Sequence, residues 1–124
     1  MIDLNINFFR PYIAQYKISD TTFRLTLPFL DRNNDFIELY IIKNKNETYT
    51  LTDDGATIAD LQLNGFDFLT DKKSQAILDD IVSTYGVNKT KHDELLIHCT
   101  MNDLSSKKHM LIQCILKIND IFYQ

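Results

Sequence analysis

The chain has 124 residues, of which 44% are hydrophobic, and its formal net charge at neutral pH is -4. That length is enough for one hydrophobic core, and we expect residues 1–124 to form a single domain. The acidic balance disfavours direct binding to nucleic acid, which usually needs a basic surface. No apolar run approaches the roughly 20 residues of a membrane span, and no signal-peptide pattern opens the chain, so we expect a cytoplasmic protein without membrane contact.

The first predicted element is an amphipathic helix, because Ile2, Ile6, Phe9 and Ile13 recur at helical spacing. Pro11 removes a helix hydrogen bond and crowds the preceding turn. We therefore expect this helix to kink or end close to the proline.

Three strands are predicted next, over residues 22–30, 36–43 and 48–52. Their apolar residues alternate with polar ones, which is the pattern of a half-buried strand. Pro28 indicates a sheet edge or a bulge near the end of the first strand. Short polar turns join the strands, so an antiparallel meander is expected. Its predicted core residues are Phe23, Leu25, Leu27, Ile37, Leu39, Ile41 and Leu51.

Helices dominate the rest of the chain. Thr52, Asp53 and Asp54 can accept hydrogen bonds from the free N–H groups of a helix that should end near Gly65. A longer helix is predicted over 71–85, with a short strand over 94–100, and Asn102 or Asp103 should cap a last helix reaching residue 122. The helices should bring four apolar residues onto the sheet, namely Ile77, Ile81, Ile115 and Ile118. The predicted fold class is α+β, with an antiparallel sheet of three to four strands packed against helices.

The last helix carries more apolar residues than one sheet face can cover. Beyond its main stripe, it adds Met110, Cys114 and Ile121. Two interpretations stay open. A homodimer could place these three residues at its seam, because one patch then serves both copies. Alternatively, the first helix could cover them within one chain.

Six carboxylates cluster around the second strand and the helix that follows the third, and we interpret them as a partner-binding surface: Asp31, Asp35, Glu38, Asp53, Asp54 and Asp60. An acidic surface complements the basic surface of an enzyme that handles nucleic acid. The alternative is a metal-dependent nuclease, which would use such carboxylates to hold an ion. That chemistry favours an acid followed two residues later by lysine, whereas Glu38 is followed by Leu39 and Tyr40.

Other chemistry has weaker support in the sequence. The residues that could ligate zinc lie in the last third of the chain, namely His92, His98, Cys99, His109 and Cys114. None of them has the close spacing of a zinc motif, so a site would need tertiary contacts, and buried thiols with surface imidazoles are the favoured interpretation. The chain has neither a nucleophile motif nor a glycine-rich phosphate loop, so we predict no catalytic residue, no metal and no cofactor.

One segment resembles a known family. The run Pro28-Phe29-Leu30-Asp31-Arg32 is followed by Leu51-Thr52-Asp53-Asp54-Gly55. This pattern is similar to the bacterial and prophage family called domain of unknown function 1828. The resemblance implies a setting in bacteria and their mobile elements, and it implies no established activity, substrate or cofactor.

Together these features predict a small acidic protein-binding module of the mobile-element type rather than an enzyme. Its expected partner is a host protein with a basic surface. The specific form of this hypothesis is an inhibitor of a host defence nuclease, such as a CRISPR effector. A metal-dependent nuclease or nuclease accessory domain is the alternative.

Overall fold

A computed structural model describes residues 14–31 and 33–123 of the chain. The predicted first helix, with its kink at Pro11, lies outside these residues. So does its suggested role as a cover for the last helix.

Within the described residues, the chain forms a six-stranded antiparallel sheet and three α-helices. The strands are β1 (Ala14–Lys17), β2 (Thr22–Leu30), β3 (Phe36–Lys43), β4 (Thr48–Thr52), β5 (Asn88–Lys89) and β6 (Leu95–Thr100). The helices are α1 (Ala56–Leu63), α2 (Lys72–Thr84) and α3 (Leu104–Phe122). The α+β class and the bounds of β2, β3 and β4 are as predicted. The sheet is larger than expected because β1 and β5, with four and two residues, are too short to show a clear alternation.

The order of strands across the sheet is β1-β2-β3-β4-β6-β5. Leu25 pairs with Leu39 and Ile41 pairs with Leu51, and all four side chains are buried. This confirms the predicted register, since a slip of one residue would turn them to the other face. The pairing of β2 with β3 is irregular between Thr26 and Leu30, which is where Pro28 lies. Proline lacks the N–H that a regular ladder needs, so the predicted bulge is also confirmed.

The helices pack on one face of the sheet and close the core. Buried side chains on that side include Ile58 of α1, Leu78 of α2 and Ile115 of α3. Ile81 and Ile118 are buried as predicted. Phe23 and Ile77 are only partly buried and pack against the rim of the core.

Most of the apolar surface of α3 is covered within one chain, although Met110 and Ile121 are only partly buried. Leu104, Leu111, Cys114 and Ile118 have no exposed surface, and α3 contacts β4 and β6 as well as α1 and α2. A helix buried on two sides needs more than one apolar stripe. The predicted dimer seam is therefore wrong for Cys114. This removes part of the reason for a homodimer, whose existence is tested by the mass of the protein in solution.

Most of the predicted helix ends agree with the structure. Gly65 (φ 97°) and Gly86 (φ 69°) adopt the left-handed conformation that ends α1 and α2. Asp103 stands just before α3, but its carboxylate accepts the N–H of Thr100 at 2.7 Å instead of a helix amide. Asp103 thus occupies the predicted N-cap position of α3, but its carboxylate does not cap a helix amide. Among the described residues, no helix combines the length and apolarity needed to cross a membrane.

Candidate functional site: an acidic cleft

The cleft arises because β3 extends beyond the end of β4. The register of the two strands stops at the pair Tyr40 and Thr52, so residues 36–39 of β3 continue alone on that side. Asp54 (φ 58°) and Gly55 (φ 80°) then turn the chain out of the sheet and into α1. The first half of β3 and the start of α1 are thus the two walls of an opening.

The opening has a volume of about 490 Å³. That size lies within the range of small-ligand pockets. All six carboxylates predicted as a partner-binding surface line it. The other lining residues are Thr26, Phe36, Ile37, Tyr40, Ala56, Thr57, Ile115 and Asn119.

Asp53 is the structural anchor of the cleft and is only 2% exposed. One carboxylate oxygen accepts the N–H groups of Gly55 at 2.9 Å and Leu95 at 3.0 Å. The other accepts the N–H of Thr57, in the first turn of α1, at 3.0 Å. The predicted capping role is confirmed, although the helix begins at Ala56, later than predicted. The bond to Leu95 also ties the turn to β6.

Asp31 shapes the turn between β2 and β3. Its Oδ1 accepts the N–H of Asn33 at 2.8 Å and the N–H of Asp35 at 3.0 Å. Aspartate favours such turns because its short side chain reaches backbone amides two or more residues on. The carboxylate is therefore occupied by the local backbone, while the side chain of Asp35 remains exposed.

Asp60 links three parts of the chain at the edge of the cleft. It accepts the side-chain N–H of Asn33 at 2.9 Å and the hydroxyl of Tyr123 at 2.7 Å. Asn64 also donates to the Tyr123 oxygen at 3.2 Å. These bonds hold the β2–β3 turn, α1 and the end of α3 together, so Asp60 helps fix the shape of the cleft.

Glu38 is the one cleft carboxylate with an ion pair among the described residues. Its Oε2 lies 2.9 Å from Nε of Arg24, whose guanidinium also stands 5.1 Å from the ring centre of Tyr16. The two side chains lie on neighbouring strands and on the sheet face opposite the helices, so the alternation of β2 and β3 could have predicted this pair.

Asp35 and Asp54 are the freely available carboxylates of the cleft. Both residues are exposed, and neither side chain accepts a hydrogen bond from residues 14–31 or 33–123. Asp54 takes part in the turn only through its N–H, which donates to the Thr52 hydroxyl at 3.0 Å. The site thus combines three carboxylates that build the walls with others that face solvent.

Metal-ligating residues do not come together in the part of the chain that the structure describes. No group of three His, Cys, Asp or Glu side chains there is arranged to hold a metal ion. His92 and His109 are exposed, while His98 lies 3.0 Å from the Thr50 hydroxyl on the face opposite Cys99. Burial raises the pKa of Cys99 to about 11 and that of Cys114 to about 12, so both thiols stay protonated at neutral pH.

Several residues of the site were not found by sequence reasoning. Asn119 lines the cleft, and Asn33 and Tyr123 bond to Asp60 at its edge, all through tertiary contacts between distant segments. No local pattern marks such residues. Ile115 was predicted as core, but its place at the base of an acidic cleft depends on how α3 crosses the sheet.

The family model of domain of unknown function DUF1828 matches residues 27–118. The chain belongs to this family. The matched range contains all six cleft carboxylates and ends before Tyr123. No curated protein and no solved structure matches the chain significantly.

Proposed function

We propose that this DUF1828 chain is a protein-binding module whose acidic cleft holds a basic segment of a partner protein. The observation that supports it best is the convergence of six carboxylates from three segments on one opening. Among the described residues, only Glu38 has an ion pair there. Of the other five, three accept hydrogen bonds from backbone, amide or hydroxyl donors, whereas Asp35 and Asp54 accept none from the described residues. Such a cleft attracts and orients cationic groups.

The cleft also suits the shape of a lysine or arginine side chain. Ile37 and Ile115 provide apolar surface, while the carboxylates stand around it. Long cationic side chains bury their methylene stems against apolar surface and keep the charged head in a polar environment. Arginine fits best, because its planar guanidinium can donate two parallel hydrogen bonds to one carboxylate.

The charge of the whole chain agrees with this partner class. A net charge of -4 adds long-range attraction to a basic protein surface. Enzymes that handle nucleic acid carry such surfaces in their binding channels. The specific form of the proposal is an inhibitor, encoded by a mobile element, that occupies the basic channel of a host defence nuclease such as a CRISPR effector.

Two variants with the same charge change test the cleft. Asp35→Asn with Asp54→Asn removes two exposed cleft charges, and Asp80→Asn with Glu47→Gln removes two exposed charges elsewhere. Each tagged protein is used to capture partners from a host lysate, and the affinity for the captured protein is measured at several salt concentrations. We expect the cleft variant to bind about tenfold more weakly, equivalent to about 1.4 kcal/mol, and the control variant to bind like the parent. Equal binding by all three proteins would contradict the proposal.

The second candidate function is a metal-dependent nuclease, although no three His, Cys, Asp or Glu side chains of the described residues are arranged to hold an ion. Carboxylates in a cleft could hold Mg²⁺ or Mn²⁺ and activate water. Incubation with plasmid DNA and RNA in the presence of either ion distinguishes the two functions. Metal-dependent cleavage that disappears in the Asp35→Asn, Asp54→Asn variant would support the nuclease over the binding module.

A further inference from the structure

A stretch of β3 in the cleft retains unused hydrogen-bonding groups on its backbone. In an antiparallel sheet, the N–H and C=O of one residue point to the same neighbouring strand, and successive residues alternate between neighbours. Asn44 donates its N–H to Thr48 at 2.8 Å, towards β4, and Lys43 donates its N–H to Thr21 at 2.7 Å, towards β2. Every second residue before Asn44 therefore directs its backbone groups towards the β4 side, namely Ile42, Tyr40 and Glu38.

No strand meets Glu38 on that side within residues 14–31 and 33–123. The pairing with β4 stops at Tyr40, and no described group bonds to the N–H or C=O of Glu38 there. The unpaired run covers residues 36–39, which corresponds to about 13 Å of strand edge. This edge opens into the cleft, since Phe36, Ile37 and Glu38 line it.

Side chains beside this edge supply contacts for an incoming strand. Leu30 and Phe36 pair across β2 and β3 and are 52% and 47% exposed, so they form a small exposed apolar patch near Glu38. Asp35 and Asp54 stand exposed on either side of the opening. An extended segment in which cationic and apolar residues alternate would match both features, because successive side chains of a strand point to opposite faces.

We propose that the partner binds as an added β-strand along residues 36–39 of β3, through an extended segment that alternates arginine or lysine with apolar residues. This inference rests on the proposed function and specifies its mode of recognition. Strand addition takes affinity from main-chain hydrogen bonds and specificity from the side chains on either side. The backbone of Glu38 supplies the main-chain contacts, and the cleft carboxylates select the cationic residues.

A defined peptide tests the mode of binding. The probe is a short capped peptide in which arginine and valine alternate, and the control probe replaces arginine with glutamate. A series of the arginine peptide carries one N-methyl group at each backbone amide in turn. Strand addition predicts that methylation weakens binding about tenfold at alternate positions and leaves the positions between them unaffected.

Two substitutions at one residue separate the backbone from the carboxylate. Glu38→Gln removes the charge, while Glu38→Pro also removes the N–H that faces the cleft. Proline is tolerated on a strand where its missing N–H would face away from the paired neighbour, so the bonds to β2 are kept. We expect Glu38→Pro to bind the arginine peptide about tenfold more weakly than Glu38→Gln. Hydrogen exchange of the Glu38 amide in the parent protein gives an independent measurement, with the peptide slowing its exchange.

The outcomes separate this inference from the proposed function. If the arginine peptide binds more weakly to the Asp35→Asn, Asp54→Asn variant but shows no alternation with N-methylation and no protection of the Glu38 amide, the strand mode is overturned and the cleft remains the binding site. If the arginine and glutamate peptides bind alike, or neither binds, the strand mode is overturned as well. The proposed function is then tested separately, by whether the partner captured from lysate binds the Asp35→Asn, Asp54→Asn variant more weakly than the parent.

Discussion

At the residue scale, Asp53 concentrates three backbone hydrogen bonds on a side chain that is 2% exposed. Hydrogen bonds to an ionised group are about twice as strong as neutral ones. Removing the carboxylate would leave buried N–H groups on Gly55, Thr57 and Leu95 without an acceptor. The loss of stability should therefore exceed that of losing a helix cap alone, because β6 also loses one of its two hydrogen bonds to Asp53.

We expect Asp53→Ala to lower the free energy of unfolding by about 3 kcal/mol. Asp53→Asn should cost less, because one side-chain oxygen still accepts hydrogen bonds. Chemical denaturation followed by circular dichroism measures both. Asp54→Asn is the matched control, since its exposed side chain accepts no hydrogen bond from a described residue. Equal midpoints for Asp53→Ala and the control would contradict the anchoring role.

How far a residue's role could be predicted from sequence depends on how local its partners are. Asp53 and Asp31 bond to amides within four positions, and such turn and cap patterns are visible in the sequence. The bond from Leu95 to Asp53 spans 42 positions and could not be predicted. Asp103 shows that a local pattern can also mislead. It stands at the predicted N-cap of α3, but its carboxylate accepts the N–H of Thr100 instead of a helix amide.

At the element scale, α3 carries a lysine on its buried side. Lys108 is 3% exposed and lies one turn after Leu104, along the stripe that faces the core. Burial disfavours the charged ammonium and lowers its pKa below the ordinary value. The unfolded chain then binds more protons than the folded chain between the two pKa values, so stability rises with pH across that window.

We expect Lys108 to add a rising contribution to the free energy of unfolding as pH increases towards about 10.4, the ordinary lysine pKa, against the falling contribution of the buried thiols Cys99 and Cys114, whose pKa values are raised. Lys108→Met should remove the rising contribution, because its side chain does not titrate, and stability should then fall more steeply with pH. Lys117→Met is the control, since Lys117 is on the same helix but exposed. Denaturation midpoints measured from neutral to alkaline pH give the slopes. Parallel slopes for the parent and Lys108→Met would contradict the effect of burial.

The bounds and faces of the strands were easier to predict than the offset between them. The alternation of β2, β3 and β4 predicted which side chains face the core, because one buried face constrains every side chain. The cleft depends on β4 being three residues shorter than β3, and that difference was present in the predicted bounds. What the sequence could not supply was the offset of the two strands, which places Tyr40 opposite Thr52 and leaves 36–39 unpaired.

At the scale of the whole molecule, the sequence overestimated the apolar surface left for association. It predicted that helices pack on the sheet but could not show that α3 contacts both the sheet and the other two helices. The most exposed large apolar side chains among the described residues are not on α3: Leu63 and Leu69 are 87% and 88% exposed. Single exposed leucines are normal on protein surfaces.

We therefore expect light scattering at micromolar concentration to give a mass near 14.5 kDa, that of one chain. The reason is that most apolar residues of α3, including Cys114, are covered within the monomer. A mass twice as large would show that a dimer forms through another surface. Comparison with a Leu63→Ser, Leu69→Ser variant would then show whether those leucines lie at the contact.

The sheet order has a consequence for how the chain is made. Neighbouring strands follow one another closely along the chain except for β4 and β6, which pair only after α1, α2 and β5 have been added. At a synthesis rate of about 5–20 residues per second, the ribosome needs roughly 2 to 9 s to go from Thr52 to Leu95. During that interval β4 is an unpaired edge strand of the growing sheet. Its threonines, and the charged Lys45 and Glu47 just before it, keep this edge polar until β6 is synthesised.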